Sequence, residues 1–282
     1  MEIFKRILVW IGIMAGLTLL AMGIWYVALG GAQTTVSLKW LQFLQTLGTF
    51  LIPPILCAWI WDKEHKPFYW LGLKKRQEWQ VFLFAILIMI VAIPGINLLA
   101  DLNSRIVLPS WMSSFEQFFQ QQEAAAAALT ERFLHADTIW QLLINIGLLA
   151  LLPAIAEELT FRGTLQQVLI GDERVEKRAH LAIWITAIIF SAIHMQFYGF
   201  IPRMLMGAMF GYIFVWTGSL WVPIVMHFTN NGIAVLVYYL YGVEEQNIAD
   251  TIGADDTWWI GLISLIITSL GLLIFYRRTR IQ

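Results

Sequence analysis

The chain has 282 residues, of which 59% are hydrophobic and 13% are charged, and its mean hydropathy is +0.69. This balance excludes an ordinary soluble domain and indicates a polytopic membrane protein that contacts the lipid bilayer. The net charge of −1 indicates nothing about partners, and the sequence has no basic patch interleaved with aromatic residues that would suggest nucleic acid as a partner. Cys57 is the one cysteine, so the chain can form neither an intramolecular disulfide nor a thiolate metal cluster.

Apolar runs that can cross the membrane recur along the whole chain. A span needs about 20 apolar residues to cross the hydrocarbon core. The first run, from Ile7 to Leu29, follows Lys5 and Arg6 and is longer than the core of a secretory signal, so we expect a retained signal anchor. The sequence predicts an all-α fold, a polytopic transmembrane helix bundle that forms one integral domain of the cell membrane over residues 1–282. Its eight predicted spans are residues 7–30, 39–61, 80–100, 138–161, 180–197, 203–217, 221–242 and 257–276.

The distribution of Lys and Arg predicts the orientation of these spans. With the N-terminus in the cytoplasm, all but four of the 18 Lys and Arg residues fall on the inner side. Because inner segments are enriched in positive charge, we expect both termini in the cytoplasm. The longest outer segment, residues 101–137, contains EQFFQQQEAAAAALTERF, and its alanines and acidic and basic residues predict an amphipathic helix that lies on the membrane without crossing it. The four outer exceptions are Lys39, Arg105, Arg132 and Arg203.

The stretch AIAEELTFRGTLQQ places two adjacent glutamates and an arginine at the end of the fourth predicted span. A charge inside a bilayer is costly and usually faces the protein interior or a water-filled cavity. Glu158 and Arg162 are four positions apart with the acid first, which favours an ion pair on one helix face. Helical geometry turns Glu157 about 100° from that pair, so we expect it to face a cavity. The alternative is that both acids mark the cytoplasmic end of the span.

Two histidines lie within apolar stretches. His194 is in AIIFSAIHMQF, and His227 is in VPIVMHFTNNG. Phe190 and Asn231 are each four positions from one of these histidines, so each pair lies on one face of a helix. A lone membrane histidine usually forms a hydrogen bond between helices. Together with Glu158 and Arg162, these are three polar pairs on three different spans, which favours a shared site instead.

Counting residues from the turn between the fourth and fifth spans relates the depths of these side chains. If the two spans form an antiparallel hairpin centred on Val175, Glu157 and His194 lie at nearly the same depth, within the membrane towards the cytoplasmic side. His227 reaches a similar depth only if the turn before its span is sunk into the protein. The sequence leaves the depth of His227 open.

The three motifs together resemble those of a known family. EELTFR, FSAIH and HFTNN are similar, in order and on successive spans, to the EExxxR, FxxxH and HxxxN or HxxxD motifs of the CPBP family. That family comprises type II CAAX endopeptidases and bacteriocin-processing enzymes, also called Abi proteins. The resemblance covers about residues 138–242, which we interpret as a CPBP-like catalytic core.

The resemblance implies an intramembrane endopeptidase that hydrolyses a peptide bond with water activated by a glutamate. In that scheme Glu157 is the general base and acts together with His194. His227 and Asn231 stabilise the oxyanion. The remaining motif residues support this geometry, namely Glu158 and Arg162.

A second version of the chemistry implied by the resemblance uses a metal ion. Glu157, His194 and His227 would bind Zn²⁺ or another divalent metal, with water in the open fourth position and Glu158 or a second acid as the base. The sequence has no HExxH motif, so the versions with and without a metal both stay open.

The substrate class follows from neither the motifs nor the composition. A prenylated CAAX tail, a peptide leader and a segment of a membrane protein all fit a peptide or protein substrate in or at the membrane. Two other functions would use similar residues: a catalytically idle relative that acts as a scaffold or immunity protein, and a proton-coupled transporter. An idle relative would lack a motif residue, and a transporter would show an internal repeat or paired broken helices, which we do not find in the sequence. The sequence does not determine the oligomeric state.

Overall fold

The computed structural model describes residues 2–62, 64, 66–171 and 176–279. Every regular element within these stretches is helical, so the predicted all-α fold is confirmed for them. Numbered in chain order, the helices are α1 (Glu2–Leu29), α2 (Thr35–Trp61), α3 (Pro67–Trp70), α4 (Trp79–Ser104), α5 (Ser113–Leu134), α6 (Ile139–Ile170), α7 (Glu176–Ala192), α8 (Phe200–Thr217), α9 (Trp221–Thr251) and α10 (Trp258–Thr279).

Six helices in the described part of the chain are long and apolar enough to cross a membrane, and they mark an integral membrane protein. The fifth and seventh predicted spans lie on α7 and α9, which are not among the six. The count of eight spans and the cytoplasmic placement of both termini therefore stay predictions. Helix α5, within the segment 101–137 expected to lie on the membrane, is not among the six either. The six are α1, α2, α4, α6, α8 with the turn before it, and α10 with the turn before it.

Helix α4 packs against α8, α9 and α10 and joins them through one apolar cluster. A glycine brings α4 close to α10, because the backbone N–H of Gly95 donates to Ser264 Oγ at 2.9 Å and a Cβ at Gly95 would lie 2.7 Å from Leu265 Cδ2. Small residues at such crossings let helix backbones approach closely. The buried members of the cluster are Ala85, Ile88, Met89, Ala92, Phe210, Ile213, Val222, Met226 and Phe275.

One end of the bundle, called the α5 end here, is closed by the turn between α7 and α8. Near the end of α4, the side chain of Asn103 donates to the Phe197 carbonyl at 2.9 Å and accepts from the backbone N–H of Ile201 at 2.7 Å. Phe119 of α5 stacks on Phe197, with ring centroids 5.2 Å apart. These contacts fix the α7–α8 turn between the end of α4 and α5.

The opposite end, called the α3 end, is closed by the residues around α3. Trp221 Nε1 donates to the Leu73 carbonyl at 2.9 Å, and the backbone N–H of Leu220 donates to the Gly72 carbonyl at 3.0 Å. Ser219 and Leu220, in the turn before α9, are fully buried. The turn is therefore sunk into the protein, which is the condition under which His227 could reach the other polar residues.

Helix α6 is not a regular α-helix along its whole length. It contains π-helical stretches at Ile146–Leu151 and Leu159–Gln166, and every residue of the second stretch is buried. Such stretches are rare in proteins, and those that do occur are often found at functional sites. The second stretch directly follows Glu158 and contains Arg162. The helix is thus widened at the residues predicted for the site.

Helix α2 also contains a π-helical stretch, Thr46–Leu51, which packs between α1 and α6. On the side of α6, Thr160 Oγ1 donates to the Phe50 carbonyl at 2.7 Å. On the side of α1, a Cβ at Gly48 would lie 2.7 Å from the carbonyl oxygen of Leu17. A residue larger than glycine therefore has no room at this crossing. The close approach of α2 to α1 places α2 against α6.

We expect Gly48→Ala to destabilise the protein, because the added methyl group meets the backbone of α1, which cannot move aside as a side chain could. Overpacking of this kind costs about 1–3 kcal/mol of unfolding free energy. Gly12→Ala on α1 is the matched control, since no atom lies within 4 Å of the Cβ that it adds. Thermal unfolding in detergent measures both variants, and equal melting temperatures would contradict the prediction.

Candidate active site

The innermost part of the site is an ion pair between Glu158 and Arg162. Arg162 Nη1 donates to Glu158 Oε1 at 2.7 Å, and both side chains are 0% exposed. The pairing expected from the spacing of four residues is therefore present. Arg162 Nη2 also donates to the Gly207 carbonyl at 2.8 Å. A Cβ at Gly207 would lie 3.3 Å from Nη2, so the glycine leaves room for the guanidinium to reach the backbone of α8.

Two aromatic rings cover the faces of this guanidinium. The Cζ atom of Arg162 lies 4.7 Å from the ring centroid of Phe190 and 5.4 Å from that of Phe210. A cation over an aromatic ring is stabilised by the ring quadrupole, and more so away from water. The phenylalanine of the FxxxH motif therefore packs on the arginine of the EExxxR motif, which gives these two motifs a physical reason to occur together.

His227 bridges the two glutamates. Its Nδ1 lies 3.0 Å from Glu158 Oε1, and its Nε2 lies 3.8 Å from Glu157 Oε2. The imidazole is 4% exposed and stacks on Phe210 with ring centroids 5.6 Å apart. Because a carboxylate oxygen only accepts, Nδ1 carries a proton and donates to Glu158. Nε2 is thereby directed to Glu157.

Neutrality of the group formed by Glu157, Glu158, Arg162 and His227 requires one proton shared between Glu157 and His227. The charge of Arg162 balances that of Glu158, and a neutral cluster costs least away from water. The remaining carboxylate and imidazole are then neutral together if they share one proton, which lies either on Glu157 or on Nε2 of His227. Glu157 is also the accessible acid of the two, since its side chain is 19% exposed whereas that of Glu158 is 0% exposed.

His194 lies beyond the end of its helix, which corrects the predicted span 180–197. Helix α7 ends at Ala192, and Met195 has a φ of +55°, a left-handed conformation that an α-helix cannot continue through. His194 Nδ1 lies 2.8 Å from the Phe190 carbonyl. A carbonyl only accepts, so Nδ1 carries the proton and the lone pair of Nε2 is available to a substrate or water.

Phe190 lies between the two imidazoles. Its ring centroid is 5.2 Å from that of His194 and 6.2 Å from that of His227. Asn231 is one turn after His227 on α9, is half-buried, and accepts from Asn230 Nδ2 at 3.2 Å. Arg162, His194 and His227, one residue from each motif, thus lie around the ring of Phe190.

The donors expected to bind Zn²⁺ do not form a ready set of ligands. Among the described residues, no three His, Cys, Asp or Glu side chains come together in an arrangement that could hold a metal ion. Nδ1 of His227 is engaged by Glu158, and its Nε2 faces Glu157. Zn²⁺ binding by Glu157, His194 and His227 stays a prediction. The mechanism proposed for hydrolysis by Glu157 includes no step at a metal ion.

Arg203 is a neighbour of the site that the sequence did not reveal. The charge count assigned it to the outer side, but its guanidinium lies within electrostatic range of Glu157 and His194. Its Nη2 donates to Gln196 Oε1 at 2.6 Å, while its Nη1 is buried and has no hydrogen-bond partner. One indication in the sequence that Arg203 is unusual is that it directly follows Pro202 at the start of an apolar helix.

Helix α5 contributes a carboxylate opposite Arg203. Glu123 Oε2 is buried without a hydrogen-bond partner and interacts electrostatically with Arg203. Partial burial raises the pKa of the Glu123 carboxyl, and the positive charge of Arg203 opposes this rise. Helix α5 therefore lies close to the side of the site that carries His194.

We expect Arg162→Lys to destabilise the protein by about 1–3 kcal/mol, the cost of a buried hydrogen bond left unmade. A lysine lacks the planar fork that reaches Glu158 and Gly207 at once. Arg105→Lys is the matched control, because Arg105 is mostly exposed and also pairs with an acid four positions away, Asp101, at 2.9 Å. Exposed pairs contribute at most about 1 kcal/mol. Melting temperatures in detergent test this, and an equal loss in both variants would count against it.

Comparison with known proteins shows that part of the chain is similar to a known family. Residues 139–233 match the family described as type II CAAX prenyl endopeptidase Rce1-like. The matched range contains all six candidate catalytic residues. The chain is also similar to a protein of Bacillus subtilis (strain 168) named uncharacterized protein YpbD, with 34% identity over 88 residues. That match covers 30% of this chain and 40% of the relative, so the chain spans less than half of the relative's length. No solved structure matches the chain.

Proposed function

We propose that this chain, whose residues 139–233 match the type II CAAX prenyl endopeptidase Rce1-like family, is an intramembrane endopeptidase of the cell membrane that uses water activated by Glu157. The family resemblance predicted from the three motifs is confirmed by the matched range. The mechanism and the substrate are the proposal. The observation that carries it is His227, whose two nitrogens face the two glutamates while Glu157 alone of the pair is accessible.

One of the two proton arrangements suits peptide hydrolysis. When the shared proton lies on His227, Glu157 is ionised and can accept a proton from water. His227 is then a cation whose Nδ1 donates to Glu158 and whose Nε2–H can donate to a developing oxyanion. With the proton on His227, Glu157 is therefore the base and the neighbouring His227 is the donor that stabilises the oxyanion.

The other motif residues complete the reaction. The lone pair of His194 Nε2 accepts a hydrogen bond from the attacking water and orients it, and Asn231 supplies a second donor to the oxyanion. The water oxygen bonds to the scissile carbonyl carbon while Glu157 takes one of its protons. Collapse of the tetrahedral intermediate breaks the carbon–nitrogen bond, and Glu157 returns the proton to the leaving amine. The products are a carboxylic acid and an amine, and the enzyme regains its starting charges.

The substrate is a peptide or protein that lies in or at the membrane. The family description names prenyl endopeptidases, so a prenylated CAAX tail is the first substrate class that we propose. Leader peptides and segments of membrane proteins are the alternatives that the same site would accept. Seclusion of the site among helices that contact lipid favours all three over soluble proteins.

The proposal is tested by comparing protein termini in membrane fractions of cells that carry the wild type or Glu157→Ala at matched expression. We expect a set of new N- and C-termini that the wild type produces and Glu157→Ala does not, because the base is lost. Glu116→Ala on α5 is the control and should keep the wild-type set. If wild type and Glu157→Ala give identical termini while a cellular phenotype depends on Glu157, hydrolysis is wrong and the scaffold or transport function replaces it.

A further inference from the structure

A cavity lies at the α5 end, and none of the six motif residues lines it. It has a volume of about 1110 Å³, is partly open, and is lined by residues of α2, α5, α6 and α9. A cavity of this size is large enough for a small organic ligand. Its lining includes Lys39, Phe43, Gln141, Gly147, Leu148 and Leu152.

Lys39 is the unusual group in this lining. It lies one turn inside α2, within a helix apolar enough to cross a membrane. Its Nζ donates to Asn145 Oδ1 at 2.6 Å, and Asn145 in turn donates to the Leu134 carbonyl at 2.9 Å. No carboxylate within the described stretches of the chain forms an ion pair with Lys39. A cation in a membrane helix normally has a counter-charge, so the geometry calls for an anion from outside the chain.

The remaining charges of the lining do not supply that anion. Glu131 and Arg132 are both exposed on the last turn of α5, and Arg132 donates to Thr35 Oγ1 at 2.8 Å. These two opposite charges lie side by side at the rim and leave the charge of Lys39 unbalanced.

The cavity is polar at one end and apolar at the other. Helices α2 and α6 both begin at the α5 end, so residues later in each helix lie deeper. The polar side chains of Lys39 and Gln141 are near the helix starts, whereas Phe43, Leu148 and Leu152 line the inner part. From Gln141 to Leu152 the helix rises about 16 Å. Such a cavity suits an amphiphile whose anionic head is at the rim and whose hydrocarbon chain points inward.

The position of the polar end of the cavity decides between two amphiphilic ligands, a phospholipid and a lipid-modified peptide. Glu157 follows Leu152 by about 7 Å of helix rise, so the apolar end of the cavity is the end nearer the carboxylates. A lipid-modified peptide substrate needs its polar peptide at Glu157 and its hydrocarbon chain further away. The cavity has the opposite order, with its polar groups furthest from Glu157.

We propose that this cavity is a binding site for an anionic phospholipid of the surrounding membrane. The phosphate binds the ammonium of Lys39, which Asn145 holds in place, and an acyl chain lies against Phe43, Leu148 and Leu152. Lysine is a common point-charge partner of phosphate, and basic pockets between membrane helices bind anionic headgroups. The inference rests on this cavity alone and does not depend on the proposed hydrolysis.

Native mass spectrometry of the purified full chain tests the site, with phosphatidylglycerol or phosphatidylcholine of the same acyl chains added to the detergent. We expect the wild type to retain phosphatidylglycerol in preference to phosphatidylcholine. Lys39→Gln should weaken retention of phosphatidylglycerol about tenfold, because one charge-assisted contact to phosphate is lost. Lys74→Gln, which removes an exposed lysine at the α3 end, is the control and should keep the wild-type preference.

A second variant keeps the test valid if Lys39→Gln fails to fold. No atom lies within 4 Å of a Cβ built on Gly147, which lines the cavity, so we expect Gly147→Leu to extend its side chain into the cavity. It should reduce retention of both lipids while the melting temperature stays near that of the wild type. Glycerol 3-phosphate, which has the anion without the chains, should not displace the bound lipid.

Four results would overturn the proposal. One is equal retention of the two lipids by the wild type, and another is unchanged retention in both Lys39→Gln and Gly147→Leu. The third is displacement of the bound lipid by a prenylated peptide at equal concentration, which would make the cavity a subsite for the substrate. Displacement by glycerol 3-phosphate would likewise contradict a lipid and indicate a site for a free phosphate.

Discussion

The buried ion pair between Glu158 and Arg162 is the constraint on which the rest of the site depends. Both side chains are removed from solvent, and breaking such a pair by removing one partner is strongly destabilising. The surrounding helices supply part of its polar contacts: Arg162 donates to a carbonyl of α8, His227 donates to Glu158, and the rings of Phe190 and Phe210 lie against the guanidinium. Glu158 Oε2 and Arg162 Nε are buried and have no hydrogen-bond partner within the described part of the chain. Because α6, α7, α8 and α9 each contribute, satisfying this one pair fixes their relative positions.

Two adjacent glutamates thereby acquire different tasks. Neighbouring residues of a helix point about 100° apart, so the pair that fixes Glu158 to Arg162 leaves Glu157 directed elsewhere. Its carboxylate is the accessible one and faces Nε2 of His227. His227 links the two tasks, because the nitrogen that donates to Glu158 holds the ring in the orientation that presents its other nitrogen to Glu157. A structural ion pair and a reactive carboxylate are therefore coupled through one imidazole.

The local parts of this arrangement could be predicted from the sequence, and the parts that depend on packing could not. The Glu158–Arg162 contact follows from a spacing of four residues, and the helical architecture follows from the apolar runs. The end of α7 was missed because the apolar composition continues beyond Ala192, where only the left-handed backbone of Met195 marks the break. The surroundings of Arg203 and Lys39 were missed because a count of positive charges assigns a residue to one side of the membrane and does not specify which helices pack against it.

The central claim is the division of tasks between the two glutamates, and it is tested by measuring stability and activity on the same purified preparations. Glu157→Gln and Glu158→Gln are compared by melting temperature and by cleavage of a substrate identified from the cellular termini. The account predicts that Glu157→Gln abolishes cleavage with a melting temperature close to that of the wild type. It also predicts that Glu158→Gln lowers the melting temperature strongly, because it leaves the charge of Arg162 buried without its counter-charge. Cleavage that persists in Glu157→Gln, or an equal loss of stability in both variants, would contradict it.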